Sequence, residues 1–297
     1  MIKSMKELLE NAKSKGPKRC VVAAGDDEVS IKAVYEAKKE GIAEVVMFGK
    51  KKRIEEICKR EEIPYEEFEI IDAEKEKAVE LAVQEVRDKG DFLMKGKVQT
   101  SMFLKGVLSK EYGLRTGRVL SHVAILEPMD YGKLLLITDG GMNISPDLSI
   151  KVDIIKNAIE VAKSLGIDKP KIALLSAVET INPKMPDTLE WAEVVKAAER
   201  GDIKGAYIDG PLALDLAVSS EAAKIKGIGG EVVGDADILV VPDIACGNIL
   251  AKGLIYLGGA KACGIVAGAR RPVVMLSRAD TLETKLYSIA LGAVIGG

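Results

Sequence analysis

Short apolar runs alternate with amphipathic stretches along nearly the whole chain. "RCVVAAG", from Arg19, is β-rich; "EVSIKAVYEAKKEG" after it has helical spacing; "AEVVMFG" is apolar again. The same order recurs downstream. "KLLLITD" precedes "SPDLSIKVDIIKNAIEVAKSLG", where Leu148, Val152, Ile155 and Ile159 fall on one helical face. "KIALLSA" precedes "DTLEWAEVVKAAERG", with Asp187 and Glu190 spaced as a capping box. "GAYIDG" leads into "LALDLAVSSEAAKIKG", "ADILVVPD" into "NILAKGLIYLGG", and "PVVML" into a last helical stretch ending "LYSIALG". Repeated βα units predict an α/β protein with mainly parallel sheets covered by helices on both faces.

Composition narrows the function classes. The 297 residues suffice for one large α/β domain or two smaller ones. A net charge of -2 supplies no field for nucleic acid or an anionic membrane, and 4% aromatic residues leave little for base stacking. No apolar run is long enough to span a bilayer. The start, "MIKSMKELLENAKSKG", has no signal-peptide core, so a reducing cytoplasm is expected. The four cysteines form no C-x-x-C pair and there is a single histidine, His122, so no metal site is expected. No phosphate-binding G-x-x-x-x-G-K-[ST] stretch occurs, which disfavours nucleoside triphosphate chemistry. The first 50 residues carry 18 charged side chains and the last 67 carry 12, so the later part is the better candidate for a ligand cleft.

The predicted strand ends near Asp139, Ser176, Asp209, Asp243 and Ser277 all carry polar residues. Ligands of parallel sheets sit at the carboxyl ends of strands, so these positions predict a convergent cleft. Ser277-Arg278 is the leading pair. It lies between an apolar run and a helix for which Asp280 suits the N-cap and Glu283 completes a capping box. A helix N-terminus favours an anion, and arginine adds a rigid fork of donors suited to phosphate. The plain alternative is a surface arginine beside a serine that satisfies the backbone. In "TDGGMNISPDL", Ser145-Pro146 reads as a helix start and Asn143 sits in the loop before it. "LLSAVETINPKMPDT" is long for a βα loop and is expected to overhang a cleft, with Ser176 at its start. In "VVPDIACGNIL", Asp243 follows a strand and Gly247-Asn248 opens a helix; Cys246 has no evident partner base.

Together "DGGMNISPDL", "LLSAVETINPKMPDT", "DGPLALDLAVS", "ADILVVPDIACGNILAKGLIYLGGA" and "VMLSRADTLETKLYSIALG" resemble the phosphate acetyltransferase and butyryltransferase family over nearly the whole chain. The "INPKMPDT" loop and the "SRADTLETKLYSIAL" ending look more like the butyryltransferase branch. "MKGKVQTSMFLKGVL" is similar to the family's Gly-x-x-x-Thr segment, here Gly96 to Thr100.

The resemblance implies reversible transfer of a short acyl group, butyryl before acetyl, between coenzyme A and inorganic phosphate. Acyl-CoA, phosphate and acyl phosphate are then the small-molecule partners, with no metal or redox cofactor. It implies the isocitrate-dehydrogenase-like fold with a cleft between two domains. The expected division is residues 1–137 plus 270–297 in one and 138–269 in the other, the latter joining copies into a homo-oligomer. Ser277, Arg278, Asp280 and Glu283 are the implied catalytic set. Thr100, Asn143, Ser176, Asp243, Gly247 and Asn248 are the implied substrate-binding set. One departure concerns the base: an ungapped match puts Thr284 where the acetyltransferase branch has an aspartate, so Asp280, Glu283 or phosphate itself must serve. Two other classes stay open: a metal-dependent decarboxylating dehydrogenase of the same fold, using Asp139, Asp209 and Asp243, and a non-catalytic CoA binder.

Overall fold

The computed structural model describes residues 1–277 and 279–297. Arg278, the second half of the leading pair, lies outside the described residues. The chain divides into two compact units, Met5–Arg118 with Cys263–Gly297, and Met1–Ser4 with Val119–Ala262.

The first unit opens with α1 (Met5–Ser14) and continues β1 (Lys18–Ala23), α2 (Glu28–Lys39), β2 (Ala43–Gly49), α3 (Lys51–Arg60), β3 (Glu69–Asp72), α4 (Lys75–Asp88), β4 (Phe92–Lys95) and α5 (Thr100–Val107). The second unit holds β5 (Ser121–Glu127), β6 (Leu135–Thr138), α6 (Leu148–Ser164), β7 (Lys171–Leu175), α7 (Pro186–Arg200), β8 (Tyr207–Leu212), α8 (Leu214–Val218), α9 (Ser220–Lys226), β9 (Ile238–Val240) and α10 (Ile244–Lys252), which runs on into one π turn. The chain then returns to the first unit through β10 (Lys261–Ala267), β11 (Val273–Met275) and α11 (Leu282–Gly296).

In the first unit the strand order is β3-β2-β1-β4-β11-β10. All neighbours are parallel except β10 and β11. Val273 and Val274 pair with Leu93 and Met94, so the returning segment extends the N-terminal sheet. Val21, Val22, Leu93, Met94, Val273 and Val274 are buried, the near-continuous apolar pattern of strands covered on both faces. Gly292 lets α11 lie close on this sheet, since a Cβ there would sit 2.8 Å from Phe92 and 2.9 Å from Val274.

In the second unit the order is β5-β6-β9-β7-β8, with only β5 and β6 antiparallel. Ile137, Ala173, Leu175, Leu212, Leu239 and Val241 are central to its core.

The two units therefore divide at 118/119 and 262/263, not at 137/138 and 269/270. Counting βα units misses "SHVAILE" and "KACGIVA", which are β5 and β10. Each is an antiparallel neighbour of a strand in its own unit, and no helix follows it to reveal it. β3 and β4 are likewise too short to stand out, at 4 residues each.

Helix starts also shift. α6 is capped by Asp147, whose carboxylate accepts from Ile150 N, so Ser145-Pro146 precede the helix. Its buried stripe is Ile154, Ile155, Ala158 and Ile159, rotated from the predicted face, with Leu148 and Val152 half-exposed. α7 begins at Pro186 with no side-chain cap; Asp187 and Glu190 form no capping box. Glu190 instead pairs with Lys151. "LALDLAVSSEAAKIKG" is two helices, because Ser219 stops one and caps the next.

Candidate active site

Each unit contains a cleft, and each cleft lies where the chain reverses its direction across the sheet. In the first unit the chain winds outward from β1 to β2 and β3, then returns past β1 to β4. The crevice outside the carboxyl ends at such a reversal is where open α/β sheets bind ligands. A cleft of about 540 Å³ lies there. Its walls are the β1–α2 connection at Asp27 to Ser30, the β4–α5 connection at Lys95 to Gln99, and Leu276-Ser277 beyond β11, with Lys75 from the start of α4.

Gly96 fixes the β4–α5 wall. Its amide and that of Lys97 donate to Ala23 O and Ala24 O at 2.9 Å, and a Cβ at Gly96 would overlap the Ala24 carbonyl. Only glycine permits so close an approach. The two helices opening onto the crevice then differ. Asp27 closes the N-terminus of α2 with its own carboxylate, accepting from Ser30 N at 3.1 Å and Ser30 Oγ at 2.7 Å. α5 has no side-chain cap at Gln99, so the first-turn amides from Thr100 onward keep their positive end for another acceptor. Lys95 and Lys97 flank the same glycine and line the cleft. These lysines were missed as site residues although "MKGKVQT" contains them. Spacing alone does not tell a lysine at a crevice from one on a solvated face.

The Ser277 segment is built differently from the sequence expectation. The N-cap of α11 is Thr281, whose hydroxyl accepts from Thr284 N at 3.1 Å. Asp280 turns back instead, and its Oδ2 accepts from Ser277 N at 2.7 Å. Thr281 reaches the amide three residues ahead and so displaces Asp280 as the cap. Glu283 does not complete a capping box; its Oε1 accepts from Tyr287 Oη at 2.5 Å, one turn along the helix. Lys285, 8% exposed, donates its ammonium to the Asp280 carbonyl. The Ser277 hydroxyl is exposed at the cleft and accepts from Ala279 N at 3.2 Å.

The second unit repeats the topology: β7 leads outward to β8, and the chain returns past β7 to β9. A cleft of about 630 Å³ sits outside the carboxyl ends of these two strands. Ser176 and Asp243 line it, as do Met185, at the end of the long loop expected to overhang a cleft, and Asp187 in the first turn of α7. Ser176 Oγ donates to Asp187 Oδ2 at 2.6 Å. Asp243 caps α10 by accepting from Cys246 N at 2.9 Å, so the helix opens at Ile244 and Gly247-Asn248 lie inside it. Gly247 faces the loop after β6, where a Cβ would sit 2.8 Å from Gly140 Cα. Asn248 Nδ2 donates to Gly140 O at 3.2 Å. Cys246 also lines the cleft. Burial, then the Asp243 and Asp187 carboxylates, push its thiol above the ordinary range, the opposite of what a nucleophilic cysteine needs.

Asn143 is braced within its loop. Its Nδ2 donates to Asp139 Oδ2 at 2.6 Å and Leu120 O at 2.9 Å. Asp139, 3% exposed, also accepts from the amides of Gly141, Met142 and Asn143. Asp209 accepts from Gly210 N. The three aspartates available to a metal-dependent dehydrogenase are thus each engaged by backbone amides. Among the described residues no three His, Cys, Asp or Glu side chains gather as metal ligands.

The fold thus groups Ser277 with Thr100's helix in one unit. Ser176 and Asp243 share a cleft in the other, and Asn143, Gly247 and Asn248 lie in that unit around the loop after β6.

Comparison with known proteins places this arrangement. Residues 4–90 and 76–293 match the family described as phosphate acetyl/butaryl transferase. The chain is 46% identical to phosphate butyryltransferase of Clostridium acetobutylicum, covering 100% of this chain and 99% of that protein. It is 47% identical to phosphate acetyltransferase of Thermotoga maritima, covering 98% and 99%. Among solved structures, a branched-chain phosphotransacylase from Enterococcus faecalis V583 superposes with a TM-score of 0.82 at 37% identity, covering 93% of this chain and 99% of that one.

Proposed function

The chain belongs to the phosphate acetyl/butyryl transferase family, and from that premise we propose that it transfers a short acyl group, butyryl before acetyl, reversibly between coenzyme A and inorganic phosphate. The observation that carries the reading is the cleft holding Ser277. Lys75, Lys95 and Lys97 line it at the sheet's reversal point beside the uncapped start of α5, while of its two carboxylates Asp27 caps α2 and Glu28 pairs with Lys32 and Arg60. Such a site suits phosphate or a phosphoryl group. The preference for butyryl is supported by the likeness of the "INPKMPDT" loop and the last helix to the butyryltransferase branch, and by the relatives whose names specify butyryl or branched-chain substrates.

In the forward direction a phosphate oxygen attacks the thioester carbonyl, a tetrahedral oxyanion forms, and coenzyme A leaves as the thiolate. Ser277 donates its hydroxyl to the oxyanion, where a positioned donor is worth most. Arg278, which lies outside the described residues, carries a guanidinium whose chemistry suits the phosphate. Asp280 holds the Ser277 amide and thereby sets the serine's position. The base for the returning thiol is drawn from Asp280, Glu283 and phosphate itself. Asn143 acts through the loop it braces, and Asn248 through the Gly140 carbonyl it holds. The enzyme works as a homo-oligomer in the cytoplasm; a monomer mass by light scattering at micromolar protein would count against the assembly. No helix among the described residues is long and apolar enough to cross a membrane.

The test is thiol release from acetyl-, butyryl- and isobutyryl-CoA with and without phosphate. The reading expects phosphate-dependent release, fastest with a four-carbon acyl group. Release that ignores phosphate, or none from any thioester, would overturn it.

A further inference from the structure

Among the described residues Lys151 and Lys285 are the buried lysines. Lys151 is compensated: it pairs with Glu190, and its ammonium lies 4.6 Å from the centre of the Trp191 ring. Lys285 is not. Its ammonium donates to the Asp280 carbonyl, and no carboxylate of a described residue lies within ion-pair distance. A buried charge without a counter-ion is costly. Leu282 and Glu283 are exposed, and Lys285 is the first residue of α11 to enter the core, ahead of Tyr287, Ser288 and Ile289. An apolar side chain would be buried there without that cost, so packing does not account for the lysine.

The turn that it meets accounts for it. Between β11 and α11 the chain is exposed at Ser277, Ala279 and Thr281. Asp280 closes this turn on itself: its N–H donates to Ser277 O at 3.2 Å, and its Oδ2 accepts from Ser277 N at 2.7 Å. Neither bond reaches the helix. Thr281 ties the end of the turn to α11 by capping Thr284 N. Lys285 adds a tie from the core side, and it does so at the residue that holds Ser277. α11 is itself fixed on the sheet where Gly292 lies against Phe92 and Val274. A path of contacts thus runs from the sheet through α11, Lys285 and Asp280 to Ser277.

We infer that Lys285 is a positioning residue for the acyl transfer: its ammonium clamps the Asp280 carbonyl and thereby fixes the Ser277 hydroxyl where the oxyanion develops. The inference rests on the acyl-transfer reading above. An oxyanion donor works only from a preset place, and a misplacement of about 1 Å can cost two decades in rate. A charged donor makes the stronger hydrogen bond, which suits it to holding an exposed turn. The missing counter-ion fits the same role, since a carboxylate beside the ammonium would compete with the Asp280 carbonyl for it.

Lys285→Met keeps a long unbranched side chain in the core and removes both donor and charge. It should lower kcat about tenfold or more, while KM for phosphate and for butyryl-CoA each move less than about twofold. Its urea midpoint should match or exceed that of the wild type, because an uncompensated buried charge is gone. Lys285→Arg restores a charged donor and should recover most of kcat. Hydrogen exchange followed by mass spectrometry reads the clamp without turnover. In Lys285→Met the amides of Ser277, Ala279 and Asp280 should exchange faster, while those of β11 and of α11 beyond Tyr287 stay as in the wild type. Wild-type kcat in Lys285→Met overturns the assignment. So does a loss of activity that comes with a lowered urea midpoint and is not recovered in Lys285→Arg, which would make the lysine a packing residue. A lowered kcat with unchanged exchange would mean that the ammonium acts on the substrate itself, and also overturns the clamp. If the wild type turns over no thioester, the acyl-transfer reading fails; faster exchange in Lys285→Met would then still uphold the clamp on the turn, and unchanged exchange would sink both.

Discussion

At the residue scale the proposed chemistry turns on Ser277 and its neighbours. Ser277→Ala should lower kcat more than it raises KM, because its donor matters most once the oxyanion has formed. With Arg278 on the phosphate as proposed, Arg278→Ala should lower kcat/KM by roughly one to two decades, the worth of a charged contact of about 1.5–3 kcal/mol. Arg278→Lys should stay impaired, since an ammonium lacks the planar fork. Steady-state kinetics with phosphate and butyryl-CoA varied in turn checks all three, and wild-type constants for Ser277→Ala and Arg278→Ala would make the segment structural. Cys246 offers a pH prediction. Its pKa is raised by burial and by two carboxylates, so the thiolate appears only at higher pH than for a free thiol. Its alkylation rate should therefore keep rising above the pH at which glutathione, measured alongside, has levelled off. Ser277 was legible in the sequence because a strand-to-helix junction has a recognisable pattern. Lys97 was not, because it comes to line the same crevice as Ser277 only through segments about 180 residues apart in the chain.

At the element scale, caps decide where side chains point. Thr281 takes the cap of α11 and frees Asp280 to hold the Ser277 amide. Thr281→Ala should cost about 1 kcal/mol of stability, read as a lowered midpoint in urea, whereas Asp280→Asn should cost less because asparagine also accepts from that amide. An unchanged midpoint for Thr281→Ala would take the cap away from Thr281. The candidate caps Asp280, Ser145 and Asp187 each fit the local residue preferences. In each case a neighbour or a tertiary partner won: Thr281, Asp147, and the Ser176 hydroxyl. Local preference ranks such residues closely, and one tertiary hydrogen bond exceeds the difference. The antiparallel strands β5 and β10 were missed for a related reason. No amphipathic helix follows them, so periodicity carries no marker of their place.

At the scale of the whole molecule, charge sorts the two clefts. The phosphate site as proposed depends on the exposed Lys97 and Lys75, so salt should screen it. KM for phosphate should rise several-fold as ionic strength goes from about 0.01 M to 1 M. The ratio of butyryl-CoA to acetyl-CoA turnover should hardly move, because apolar contacts are not screened. An unchanged phosphate KM would remove the lysines from the site. The doubled topology explains why one chain can offer two unlike clefts: the same reversal of winding opens a crevice in each unit, and only the lining differs.

The sequence alone determined the alternation of strand and helix, the mainly parallel sheets and the likeness to an acyltransferase family. These follow from periodicity and from contiguous motifs, which are local properties of the chain. It also marked Ser277 and Asp243 as strand-end residues. Tertiary structure alone decided that the units divide at 118/119 and 262/263, that Thr281 and not Asp280 caps the last helix, and that three lysines gather in one cleft while no lysine or arginine among the described residues lines the other. Those outcomes depend on which distant segments the sheet order makes neighbours, and no spacing along the chain encodes the environment that results.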